Sequence, residues 1–211
     1  VSSPDDNPVH ASRYWPWVLL RALPAIVVAI VITFSADHSA RLGFLMFGIL
    51  ALVSGAVVLI GAVRALPAGI VRWCFAVQGG VGVALGAVSL FSGGAGLPFL
   101  IFLVGAFAAL TGFLELYSGL RSRGRDDSAR DWLFAGALTV LFAIVTLVVP
   151  ADYTQPFTGP DGVERALTAS VVLVGVLGAY SAILGVYLVI AGLSLKWAPR
   201  SVAAAAAESG S

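Results

Sequence analysis

Gly105-Ala-Phe-Ala-Ala-Leu-Thr-Gly112-Phe-Leu-Glu115-Leu-Tyr-Ser-Gly119 places a glycine at every seventh position of an apolar run. Seven residues make nearly two helical turns, so the three glycines share one face within about 20°. The device recurs at Gly48, Gly55 and Ala62, and again at Gly178, Gly185 and Gly192. The first two sets lie 57 residues apart and the last two 73. A shift of 57 also aligns the intervening stretches. Ala22, Ala29 and Ala36 fall on Gly79, Gly86 and Gly93, then on Gly136, Ala143 and Pro150. A fixed period marks one unit copied along the chain. The predicted fold is an all-α integral membrane protein, its six transmembrane helices forming three tandem helical-hairpin repeats at about 17–63, 73–120 and 132–195.

Composition leads to the same class. Of 211 residues, 59% are hydrophobic and 11% charged, and the mean hydropathy is +0.99. Soluble domains carry roughly a quarter charged residues, so this chain could not cover a water-facing surface. A helix needs about 20 apolar residues to cross the hydrocarbon core. Six stretches suffice: 17–34, 42–63, 73–90, 98–120, 132–149 and 167–195. The first carries Arg21 and has no small-x-small cleavage pattern, so it is read as a span rather than a signal peptide. Residues 1–16 and 197–211 are read as a polar leading segment and a flexible, alanine-rich tail.

Ten of the twelve Lys/Arg fall on one side of this arrangement: Arg13, Arg21, Arg64, Arg72, four arginines within 121–130, Lys196 and Arg200. Arg41 and Arg165 fall on the other. Basic residues in short loops stay in the cytoplasm, which predicts a multi-pass protein of the bacterial inner membrane with both termini cytoplasmic. Trp15, Trp17, Trp73, Trp132 and Trp197 fall at the same ends of the spans, the headgroup level that indole favours.

The returning helices read Gly-Ile-Leu-Ala-Leu-Val-Ser-Gly (48–55), Gly-Ala-Phe-Ala-Ala-Leu-Thr-Gly (105–112) and Gly-Ala-Tyr-Ser-Ala-Ile-Leu-Gly (178–185). Over about 17–196 this pattern resembles the HdeD-like family of bacterial six-helix membrane proteins, which carry a short hydrophobic repeat of unassigned function. The resemblance implies an inner-membrane location and a loose association with acid or envelope stress. It transfers no catalytic or binding residue.

In lipid, Gly48, Gly55, Gly105, Gly112, Gly119, Gly178, Gly185 and Gly192 read as helix-packing seams, because small side chains let backbones approach. Glu115 is the one acidic residue well inside a span, and an ionisable group there is a functional candidate. Its repeat equivalents are Val58 and Leu188, so the carboxylate is not part of the repeating unit. The expectation is a polar clasp with Gln78, with Arg64, Arg72 or Arg121 as ionic partners. A proton relay is the competing reading, and the outer half of the spans offers it no polar groups. Asp37 and His38 in the first outer turn could sense acid, since histidine titrates near pH 6.5, but a solvated turn is the plainer reading.

The outer turn of the third repeat, 150–166, is about sixteen residues longer than its counterparts and holds Pro150, Pro156 and Pro160. Its Asp152, Tyr153, Phe157, Asp161, Glu164 and Arg165 form a candidate partner-docking loop. One cysteine, two distant histidines and no nucleophile or phosphate-loop motif predict no enzyme, no cofactor and no metal. The expected partners are the lipid bilayer and another membrane protein or a second copy, with no nucleic acid. The function expected is a stress-associated component or accessory subunit of a membrane complex. A small-solute or proton transporter or channel is the alternative.

Overall fold

The computed structural model describes residues 7–126, 128–160, 162 and 164–209, and the side chains of these from Tyr14 to Trp197. Six helices follow in order: α1 Asn7–Phe34, α2 Ala40–Ala65, α3 Ile70–Phe91, α4 Leu97–Ser122, α5 Ala129–Val148 and α6 Ala169–Ser209. Each contains a stretch long and apolar enough to cross a membrane. A β-hairpin, β1 Thr154–Thr158 and β2 Glu164–Thr168, stands between α5 and α6. The side chains of 1–13 and 198–211 lie outside the described residues.

Helix boundaries follow local chemistry. Ser39 caps α2, its Oγ accepting from the Leu42 N–H at 3.3 Å. Asp37 holds that cap, accepting from Ser39 N–H at 2.8 Å and from its hydroxyl at 3.0 Å. The role of Asp37 is therefore structural. Gly96, at φ +86°, turns the chain into α4, and Pro98 occupies its first turn, where a missing N–H costs nothing.

The closest helix pairs differ from the hairpins of the repeat. α2 packs most intimately on α3, α4 on α5, and α6 on α1. Each returning helix thus seats on the outbound helix of the next copy, and the last closes back on the first. Small residues on both partners cause this. A Cβ built at Gly79 would lie 2.5 Å from the Leu59 backbone nitrogen, and one at Gly55 would lie 2.8 Å from the Gly79 carbonyl. In the second pair, Gly112 faces the Val140 backbone nitrogen at 2.9 Å and Gly119 faces the Leu133 nitrogen at 2.9 Å. In the third, Gly178, Gly185 and Gly192 receive Ile32, Ile26 and Leu19 of α1. The sequence period reads as a helical hairpin, but the closest packing joins helices of neighbouring hairpins. α2, α4 and α6 also touch one another, so they form the inner triangle of the bundle.

Between these inner helices sits an apolar core that includes Phe44, Phe47, Leu100, Leu103, Val174 and Leu177. Large apolar side chains such as Phe34, Phe91, Phe113, Leu141 and Val148 point outward instead. In water that exterior would be a liability, but in hydrocarbon it is the solvated face. Tyr14, the α2–α3 and α4–α5 connections and Trp197 share the basic end of the bundle, and the β-hairpin projects from the opposite end. Of the five tryptophans, Trp73 and Trp197 are exposed, whereas Trp132 is only 4% exposed. Trp132 is a packing residue and not a headgroup anchor: Phe75 and Tyr14 surround it, with ring centroids 4.9 and 6.0 Å away.

Close backbone approach makes the seams intolerant of even one methyl group. A Cβ at Gly86 would collide with the Leu52 backbone nitrogen and approach the Gly48 carbonyl at 2.9 Å, whereas one at Gly80 would meet nothing within 4 Å. Gly86→Ala should therefore destabilise the bundle by about 1–3 kcal/mol, the usual cost of overpacking. Gly80→Ala should be neutral or slightly stabilising. Unfolding midpoints of both variants in mild detergent check this; equal midpoints would refute the seam.

Candidate functional site

Repeat register brings Arg21 and Gln78 to equivalent positions on α1 and α3, 57 residues apart, with Ala135 as the third equivalent on α5. Val58, Glu115 and Leu188 occupy the matching layer on α2, α4 and α6. Three of these six positions carry polar groups, and all three meet. Arg21 Nη1 donates to Glu115 Oε1 at 2.5 Å and Nη2 to Oε2 at 2.9 Å, a two-pronged guanidinium–carboxylate fork. Gln78 Nε2 donates to the same Oε2 at 3.1 Å. The Glu115 side chain is 1% exposed and that of Arg21 12%.

Glu115 does take Gln78 as a hydrogen-bond partner. Its ionic partner, however, is Arg21 rather than Arg64, Arg72 or Arg121. Arg64 and Arg121 are exposed, and all three stand at the basic end of the bundle. Arg21 reads in sequence as a flanking charge because hydropathy places it near the start of the first span. The 57-residue shift that equates it with Gln78 is the signal that finds it.

An isolated charge in a low-dielectric interior costs several kcal/mol even after relaxation, and an ion pair offsets this only with good geometry and further hydrogen bonds. Here three N–H groups converge on one carboxylate, which meets that condition. One acceptor is left over: Gln78 Oε1 has no partner among the described residues. Beside Arg21 and Glu115 lies a cavity of about 20 Å³ whose walls include Tyr14, Trp17, Phe75 and Trp132. That is room for roughly one water. Its walls also include Leu66, Ser128 and Asp131, so it reaches from the ion pair toward the basic end.

Outward from the cluster the interior is not purely apolar, contrary to the sequence reading. The Tyr180 hydroxyl and Thr139 Oγ1 lie 3.0 Å apart, and Thr139 donates to the Ala135 carbonyl at 2.8 Å. Thr146, seven residues further along the same face of α5, is buried with no partner for its hydroxyl among the described residues. Tyr180 stacks on Phe142 at 4.3 Å. Threonines read as ordinary span residues in sequence, and only packing shows that they face inward.

The docking-loop residues stand at the opposite end. β1 pairs antiparallel with β2, setting Phe157 opposite Arg165 and Thr158 opposite Glu164. Tyr153 is half-buried at the root, where its carbonyl accepts from Ala169 N–H at 2.9 Å and its hydroxyl donates to Gln155 Oε1 at 2.7 Å. Asp152 is exposed, and Asp161 lies outside the described residues. A proline-stiffened loop was the expectation; the structure gives it the form of a register-defined hairpin. Pro160-Asp161-Gly162 is a turn signature that could have shown it. Gly162, at φ +74°, donates to the Gly159 carbonyl at 2.9 Å and closes the turn.

Breaking a buried ion pair on one side strands the other charge. Arg21→Met or Glu115→Met alone should destabilise by about 3–5 kcal/mol, and the double variant should recover most of the loss. Unfolding midpoints of the three variants form a double-mutant cycle; additive losses would show that the pair is not coupled.

Residues 77–148, from within α3 through α5, match the family model described as a short repeat of unknown function (DUF308). No curated protein and no solved structure matches the chain. The match to this short repeat of unknown function thus covers the segment that carries Gln78, Glu115 and the α4–α5 seam, within a multi-pass chain of six apolar helices.

Proposed function

We propose that this membrane protein is a non-catalytic, stress-associated accessory subunit that docks another membrane or extracytoplasmic protein through its β-hairpin. The observation that carries the reading is the hairpin itself. All ten strand residues but Leu167 and Thr168 are exposed, and Phe157 shows 49% of its surface. The sheet holds two strands, so each strand keeps an outer edge of N–H and C=O groups. An isolated two-stranded hairpin is marginal in water, and an open edge is a template for strand addition by a partner. The non-catalytic part is supported by the commitment of the buried carboxylate to Arg21 and Gln78. The gathering of basic residues at the terminal end supports an inner-membrane orientation with both termini cytoplasmic. The stress association rests on the HdeD-like resemblance.

A second reading, a pathway for protons or a small solute, is favoured by one observation: Glu115, Tyr180, Thr139 and Thr146 are all buried polar groups in the bundle interior. Against it, the described cavity at Glu115 has room for only about one water, and the carboxylate in it is held by Arg21 and Gln78.

Two experiments separate the readings. Cross-linking from residue 157 in native membranes, followed by detergent extraction, should recover a stoichiometric partner. Deletion of 152–164 should abolish co-purification of that partner in mild detergent without any cross-linker, while leaving the unfolding midpoint nearly unchanged. Recovery of the protein alone would refute docking. In liposomes, the wild type should show no more proton flux than empty vesicles; flux that disappears in Glu115→Gln would replace the first reading by the second.

A further inference from the structure

At the basic end, a groove of about 310 Å³ opens between the α2–α3 connection and the end of α4, distinct from the cavity at Glu115. Three arginines from three segments line it: Arg72 in the first turn of α3, Arg121 in the last turn of α4 and Arg125 in the α4–α5 connection. Their guanidinium groups have no ion-pair partner among the described residues. Ser122 lines the same groove, is more than nine-tenths buried, and has a hydroxyl that no described residue engages.

The backbone adds donors. α3 starts at Gly69, which has no side chain to cap it, and the first amide to find a helical carbonyl is that of Trp73. The N–H groups of Ile70, Val71 and Arg72 are therefore left without an intrahelical acceptor at the groove wall, at the positive end of a 22-residue helix. Among the described residues, one carboxylate shares the site. Asp126 accepts from Ser128 N–H at 2.8 Å, and among the described lining residues three cations stand against its single negative charge.

We propose that this groove binds the phosphate of an anionic lipid headgroup. Guanidinium forks, free helix amides and a hydroxyl are the donor set that phosphate oxygens take. The groove's position selects a lipid over a dissolved anion. It lies where the spans end, with Ile70 at its wall and Trp73 and Leu120 exposed on the adjoining turns of α3 and α4. A phosphate seated here leaves its acyl chains free to run along that apolar surface, and basic pockets between helix ends recognise headgroups in this way.

The test uses the full chain, purified and delipidated in a neutral detergent, with the unfolding midpoint followed on titration with short-chain phosphatidylglycerol. The midpoint should rise with this lipid but not with phosphatidylcholine at equal concentration, nor with inorganic phosphate. Arg72→Gln with Arg121→Gln and Arg125→Gln should raise the half-saturating lipid concentration about tenfold or more. Arg123→Gln with Arg130→Gln, which removes charge from the same end outside the groove, should leave it unchanged. Should the triple variant fold poorly, Arg125→Gln alone, in the exposed connection, should still weaken the response several-fold. An equal response to phosphatidylcholine or inorganic phosphate, or an unaltered response in the groove variants, would overturn the proposal.

Discussion

Lipid removes the force that folds most proteins. Between hydrocarbon tails, two leucine-covered helices gain nothing by meeting, so association must come from van der Waals contact and polar bonds. The bundle answers this with backbone-to-backbone packing. Gly55 and Gly79, and Gly48 and Gly86, are so close that neither helix has room for a Cβ at these points. Everything else follows from where that packing can occur. Pairing α2 with α3, α4 with α5 and α6 with α1 closes a ring, and the ring brings the even helices together at its centre.

Positions that the 57- and 73-residue shifts equate recur from helix to helix around such a ring. At the level of Glu115, six such positions hold Arg21, Val58, Gln78, Glu115, Ala135 and Leu188. Three of them are polar, and those three meet. One acid, one base and one amide satisfy each other except for Gln78 Oε1. A second carboxylate at Val58 or Leu188 would leave a charge unpaired in the same small space, which several kcal/mol would oppose. The layer is therefore polar once, not three times.

Spans, small-residue stripes and the presence of a buried acid were legible in the sequence because each depends on local composition or on a period along one chain. Partner choice was not. Gly112 announces that something approaches closely, but whether that is α3 or α5 depends on small residues matching at Gly136 and Ala129, which is a property of two helices at once. Arg21 was missed for a related reason. Hydropathy measures distance from the end of an apolar run, whereas its partner is set by the angular position it shares with Gln78. The hairpin at 154–168 escaped because alternation over five residues is faint beside the strong apolar signal of the flanking spans.

Periodic seams carry a hazard that the ion pair resolves. Gly178, Gly185 and Gly192 receive Ile32, Ile26 and Leu19 at steps of six or seven residues. A seven-residue slip of α1 along α6, about 10.5 Å at the helical rise, would bring apolar side chains back over glycines and cost little packing. No loop joins α1 directly to α6; of the two, α1 is tied only to α2, through residues 35–39. Yet the same slip would carry Arg21 far beyond reach of Glu115 and leave two uncompensated charges in hydrocarbon. A single polar position can fix register in just this manner in helical coils whose apolar pattern alone is degenerate. Arg21 thus selects one of several nearly equivalent closures of the ring, and its partner lies on α4 rather than α6, so the choice is referred to a helix already held in place by α5.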